Sequence, residues 1–247
     1  MTANSENDIR ALKLIGHICA EALRRMIWAV RPGLTTGELD QIGREFLESE
    51  GAHSAPELTY DYPGATCISV SPVIAHGIPG PHILREGQLI HIDVSAERDG
   101  YFADTGASLW VSKRSPEIHK LIEATRAALA KAVNAARAGS PLNEIGRAIQ
   151  REANRQGFNV IHELTGHGIG RGLHEEPGEI WNFYNPRDQR ILQDGIVLAI
   201  EPFLTTGRGH IKEEPDGWSL RTSDNAIAAQ FEHTIIVTRN RPIILTI

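Results

Sequence analysis

The chain has 247 residues, 41% of them apolar and 23% charged, with a formal net charge of −6. That is enough apolar chain to bury a core without disulfide staples, and its two cysteines, Cys19 and Cys67, suit a reducing compartment such as the cytoplasm. The sequence has no basic run to suggest a nucleic-acid binder and no stretch of about 18 apolar residues to span a membrane, and MTANSENDIR lacks the pattern of a signal peptide.

Residues 1–7 are expected to form a short tail. Over 8–30, Ile9, Leu12, Ile15, Cys19, Leu23, Met26 and Val30 recur at spacings of three and four, one apolar stripe on a long helix stopped by Arg31-Pro32-Gly33. A second helix fits 36–50, with Thr35 and Glu38 as a capping box and Gly51 closing it. Segments 88–95 and 101–111 alternate as strands around Arg98-Asp99-Gly100, a hairpin turn signal. Ser115-Pro116 opens a third helix to about Ala136. Ser140-Pro141 opens a fourth that ends at Gly157, with Pro at its first helical position. Segments 196–204 and 227–237 read as a further strand pair.

Residues 31–51 and 137–157 look like copies. They share Arg, Gly, Glu and a closing Gly at matching places, and the same offset lays Glu57-Leu58-Thr59 on Glu163-Leu164-Thr165. The expected architecture is one α+β domain over 1–247, built from a duplicated helix-helix-strand unit with pseudo-twofold symmetry.

Chemistry enters where acids interrupt apolar strands. Alternation puts His91, Asp93 and Ser95 on one face of the first strand. A turn at Arg98-Asp99 would set Asp93 directly opposite Asp104, although the sequence leaves that register open. Paired carboxylates in an apolar hairpin repel unless a proton or cation lies between them. Glu201 in IVLAIEPF and Glu232 in AAQFEHTIIV repeat the anomaly, and a buried acid is costly unless it is paired or coordinated. Two acids from each half suit a two-metal site between the halves; with imidazole added, the set suits Mn, Fe, Co or Zn. Glycine-flanked His167, His174 seven residues later, and His76 before a tight turn are the candidate imidazoles. His17, His53, His82, His91, His119, His162, His210 and His233 are read as structural.

The ordered series AHGIPG, IDVSAERDGYFADTGAS, GHGIGRGLHEEP, AIEP and AAQFEHTIIV closely resembles the type I methionine aminopeptidases. The resemblance implies the duplicated pita-bread fold, with antiparallel half-sheets around a dinuclear metal site. It implies Asp93, Asp104, His167, Glu201 and Glu232 as ligands of two divalent ions, with Asp104 and Glu232 bridging and Glu201 also shuttling a proton. His76 and His174 would contact the substrate amide, and Tyr62, Cys67 and Trp218 would line the methionine pocket. The implied reaction is removal of N-terminal methionine from peptides and nascent chains by a metal-bridging hydroxide, in a cytoplasmic monomer. Ribosome docking is a family expectation for which the acidic composition offers no basic patch. Only about 50 residues precede the first pocket segment, unlike prolidases and their relatives. Glu201 and Glu232 are 31 residues apart, too close for the insertion of the type II enzymes.

Ser71-Pro72, Pro56, Thr59, Leu173 and Phe203 depart from the family pattern, mostly around the methionine pocket or its rim. They suggest a specialised second copy with an altered side-chain preference, which a hydrophobic pocket tunes by about 1–3 kcal/mol per methylene. An X-Pro or other aminopeptidase is one competing reading. A silent pita-bread binding module is another, disfavoured because all five ligands and both histidines are present.

Overall fold

The computed structural model describes residues 1–112 and 115–247. Ser5 and Asp8 form a capping box that starts helix α1 (Glu6–Ala29), and Thr35 with Glu38 does the same for α2 (Thr36–Ser49). The inward stripe of α1, Leu12, Ile15, Cys19, Leu23 and Met26, is buried as its spacing requires. The expected tail is not loose: Ala3 N–H donates to the Gly195 carbonyl at 2.8 Å and Thr2 bridges Ile196.

The first half continues through β1 (His53–Ser54), α3 (Ala55–Tyr60), β2 (Cys67–Val70), β3 (Val73–Ala75), β4 (Leu89–Arg98) and β5 (Tyr101–Trp110). β4 is central, pairing β1 and β2 along one edge and β5 along the other, all antiparallel. α1 and α2 cover this sheet through Ile90, Ile92 and Val94, the residues alternating with His91 and Asp93.

The second half opens with α4 (Pro116–Ala135) and α5 (Asn143–Gln156). Pro141 does not begin α5. The backbone of 140–142 is already engaged, with Leu142 N–H donating to Arg190 at 2.8 Å and Leu192 N–H to Ser140 at 2.9 Å. Strands β6 (Asn159–Val160), β7 (Thr165–Gly168), β8 (Glu175–Trp181), β9 (Val197–Ile200) and β10 (Phe203–Thr205) follow. They are succeeded by β11 (Ile211–Glu213), β12 (Leu220–Thr222), β13 (Ala228–Gln230), β14 (His233–Ile236) and β15 (Ile243–Ile244). The main sheet runs β15-β14-β9-β7-β8; small sheets β13-β10-β6 and β11-β12-β3 flank it.

The duplication is real. The same offset that relates 31–51 to 137–157 carries β1 onto β6 and the end of α1 onto the end of α4. The second echo is not structural: Glu57–Thr59 lie in α3, started by Ser54 and Pro56, whereas Glu163-Leu164 precede β7. The halves meet along a seam, where Ala107 bridges Phe231 and Glu232 N–H donates to the Gly106 carbonyl at 2.9 Å. Thr234 Oγ1 locks it further, accepting from Asp104 N–H at 2.8 Å and donating to the Asp104 carbonyl at 2.7 Å.

Candidate active site

Each site residue is placed by a local irregularity. The hairpin turn is Asp99-Gly100, both with positive φ (54° and 76°), the conformation a two-residue type I′ turn demands. Arg98 therefore pairs Tyr101, and Asp104 stands opposite Ser95 while Asp93 faces Gly106. The direct Asp93–Asp104 pairing expected from an Arg98-Asp99 turn is replaced by a diagonal one, close enough for the two carboxyls to share a hydrogen bond.

Pro202 cannot donate to a ladder, so the expected strand 196–204 breaks into β9 and β10 on different sheets, with Glu201 at the break. Strand 227–237 likewise breaks at the seam between β13 and β14, beside Glu232. His167 sits at a register shift in β7 between Gly166 and Gly168, and such a bulge re-aims the side chain. His76 follows β3 with φ of 53°, and His174 lies in the turn between β7 and β8.

These pieces converge on one cavity of about 290 Å³. Its walls include Asp93, Asp104, His167, Glu201 and Glu232, the two histidines His76 and His174, and Tyr62, Cys67 and Trp218. All ten residues singled out in the sequence thus line a common space. Pro56 and Leu173 also line it, whereas Thr59 is exposed outside it and Phe203 is buried in the core with Ile74 and Leu164. Those two departures do not touch the pocket.

Burial raises the pKa of all four carboxyls: Asp104 to about 6, and Asp93, Glu201 and Glu232 well above their ordinary values, with mutual repulsion adding to the latter three. Asp93 Oδ1, Asp104 Oδ1 and Glu232 Oε1 are buried with no hydrogen-bond partner. Among the described residues, no lysine or arginine lines the cavity. His167 is held near 3 by burial, hence neutral. Its Nδ1 lies 2.9 Å from the Gly168 carbonyl, which keeps the proton on Nδ1 and leaves Nε2 as a lone-pair donor, 3.6 Å from Glu201 and 4.0 Å from Asp104. Ligand atoms of Asp104, His167 and Glu232 all lie within 4.8 Å of one another. Orphaned acceptors and uncompensated acid with one oriented imidazole are a donor set for divalent cations.

Two residues that sequence reasoning missed complete the arrangement. Gln230, fully buried, donates its amide to Glu232 at 3.1 Å and Glu201 at 3.4 Å. The Tyr60 hydroxyl lies 2.6 Å from His174 Nδ1. His174 and His76 are accessible within the cavity yet walled by protein, so desolvation lowers the pKa of each, and both are neutral at pH 7. Tyr62 donates to the Gly77 carbonyl at 2.7 Å and meets Trp218 edge-on at 5.1 Å, making a rigid aromatic wall.

Comparison with known proteins agrees. The model of metallopeptidase family M24 matches residues 10–239. Methionine aminopeptidase 2 of Bacillus subtilis is 46% identical over all of this chain and 99% of its own. The crystal structure of methionine aminopeptidase from Rickettsia prowazekii superposes with a TM-score of 0.95 at 34% identity, covering 100% of both chains. A prolidase from Pyrococcus furiosus shares the fold at 21% identity and a TM-score of 0.79, with 98% of this chain covering 64% of that one. The chain belongs to metallopeptidase family M24, among the methionine aminopeptidases.

Proposed function

We propose that this chain is a dinuclear metalloaminopeptidase that releases methionine from the N-termini of peptides and nascent chains in the cytoplasm, acting as a monomer. The observation that carries the reading is the cluster of two buried carboxylates, Asp104 and Glu232, two partly buried ones, Asp93 and Glu201, and His167 at one end of an apolar-walled cavity, with two neutral histidines beside it. Asp93, Asp104, His167, Glu201 and Glu232 would hold two divalent ions. Mn, Fe, Co and Zn all suit the donors. When bound, such cations lower the pKa of water and polarise a carbonyl.

The chain's own groups do the rest. Tyr62, Cys67, Trp218, Pro56 and Leu173 enclose an unbranched apolar side chain and exclude water from it. With the Tyr60 hydroxyl donating to Nδ1, the neutral His174 ring carries its proton on Nε2 and can donate to the scissile carbonyl oxygen as charge develops there. His76, also neutral, orients the amide from the facing wall. Glu201 would accept a proton from the attacking water and return it to the leaving amine. Gln230 holds Glu201 and Glu232 in place by donating to both.

The test is release of the first residue from Met-Ala-Ser, Met-Lys-Ser, Ala-Ala-Ser and Leu-Ala-Ser by metal-free protein reloaded with Mn, Fe(II), Co or Zn. Metal-dependent release from Met-Ala-Ser alone is expected. Preferential release from the Leu or Ala peptide would transfer the reading to a repurposed pocket, and no release with any metal would favour a silent binding module.

A further inference from the structure

On the other side of the seam from the carboxylate cluster, a groove runs between α1 and α4. Its main hollow, about 270 Å³, is floored by Leu23 and Ile27 of α1, Leu129 of α4 and Phe231 of the seam. A second hollow of about 220 Å³ continues past Leu129, Ala130 and Val133. Phe231 and His233 flank Glu232 in sequence, and Glu232 is the one lining residue that groove and active-site cavity share. An occupant of the groove would therefore leave the substrate mouth open.

The duplication built this groove from equivalent faces. The 106-residue offset lays Leu23 on Leu129 and Ile27 on Val133, while Ala20 falls on Arg126 and Arg24 on Ala130. Each wall thus carries one guanidinium and one small residue, in exchanged positions. The walls are also charge-segregated. Residues 22–31 contain Arg24, Arg25 and Arg31 and no acid, and residues 124–137 contain Arg126, Lys131 and Arg137 and no acid, in a chain of net charge −6. Neither helix has a basic residue in its last turn, so dipole compensation does not account for the pattern. Arg24 is ion-paired to Glu21 at 2.8 Å and Arg126 to Glu123 at 2.7 Å, and Glu232 also lines the groove, yet both arginines remain more than half exposed, at 51% and 57%. One helical turn beyond Arg24 stands Trp28, 90% exposed. An apolar floor with arginine at its rim, and an exposed tryptophan one turn along α1, has the make-up of a binding hot spot.

We propose that this groove docks an acidic amphipathic helical segment of another protein, its aliphatic side chains on the Leu23–Leu129–Phe231 floor and its carboxylates against Arg24 and Arg126. The apolar floor argues against a nucleic-acid backbone, which would bring phosphates to the walls and nothing to the floor.

The experiment titrates metal-loaded full-length protein into fluorescein-labelled, end-blocked peptides with leucines at helical a/d/e positions and glutamate elsewhere. A lysine-for-glutamate peptide and an RNA hairpin are the controls. Saturable anisotropy is expected for the glutamate peptide alone. Its affinity should fall at least about tenfold in Arg24→Glu/Arg126→Glu and in Ala130→Trp, which fills the groove from an exposed position. Melting curves matching the parent protein would show that both variants are folded. Equal binding of the lysine peptide or the hairpin, absence of saturable binding, or unchanged affinity in both variants would overturn the proposal. So would a dimer that the arginine variant dissolves, since the groove would then belong to a second copy.

Discussion

Asp104 lies within Coulombic reach of Asp93, Glu201 and Glu232, and burial opposes charge on all four. Asp104→Asn keeps the shape and removes one charge from this crowd. The metal-free variant is expected to melt at a higher temperature than the metal-free parent, while cation affinity drops by at least about a hundredfold and peptide hydrolysis is lost, since even outer-shell partners of a metal are worth about 10–100-fold. Calorimetric titration alongside melting reads both effects, and full metal binding in the variant would refute a ligand role for Asp104. Tyr60→Phe removes the hydroxyl from His174 Nδ1 and frees the imidazole to change tautomer. A loss of about tenfold in kcat with unchanged metal content is expected, and equal kcat would show that Tyr60 does not orient His174. At this scale the sequence exposes acids that interrupt apolar strands, because such residues need a reason to be there. It hides Tyr60 and Gln230. A tyrosine ending a short helix and a glutamine beside small residues break no local pattern, and Tyr60 meets His174 only after folding closes 114 residues of chain.

Elements bring residues into register, and the hairpin shows how one residue of turn matters. Arg98-Asp99 and Asp99-Gly100 are both polar frames, but only the second puts glycine where φ is 76°, and the type I′ requirement selects it. The consequence is that Asp93 faces Gly106. A Cβ at Gly106 would meet Gln230 Oε1 and His91 Cε1, each at 2.7 Å, with fully buried Gln230 having nowhere to retreat. Gly106→Ala should cost about 1–3 kcal/mol of stability by overpacking. It should also weaken cation binding by displacing the amide that holds Glu201 and Glu232. Wild-type melting and wild-type metal affinity together would show that the seam is softer than this packing implies. Helix positions follow the apolar spacing closely. The breaks at Glu201 and Glu232 are less legible, because continuous apolar runs conceal a strand that changes sheets. Of the two, only Pro202 marks its break in the sequence.

The whole molecule joins two copies along a seam and concentrates four acids there, so cation binding and stability are one question. Without a cation, the carboxyls with raised pKa values bind protons more tightly folded than unfolded. Their stabilising contribution is complete below the ordinary carboxyl range and is lost as pH rises through the folded values, about 6 for Asp104 and well above the ordinary carboxyl range for the others. At pH 7 and above the lowered histidine pKa values hardly offset this, because unfolded histidine is mostly neutral there as well. Chelation at pH 7.5 should therefore lower the melting temperature, and free cation at about a hundred times its Kd should add about 2.7 kcal/mol by mass action. The cation must also displace the protons that the empty cluster retains. Calorimetric titration at pH 6.5 in buffers of different ionisation enthalpy should show net proton release, and apparent affinity should rise with pH while the release diminishes. A heat of binding independent of buffer would mean that the carboxyls are already ionised in the empty protein. In that case the repulsion across the seam would have to be absorbed by the hydrogen bonds of Thr234 and Gln230 instead.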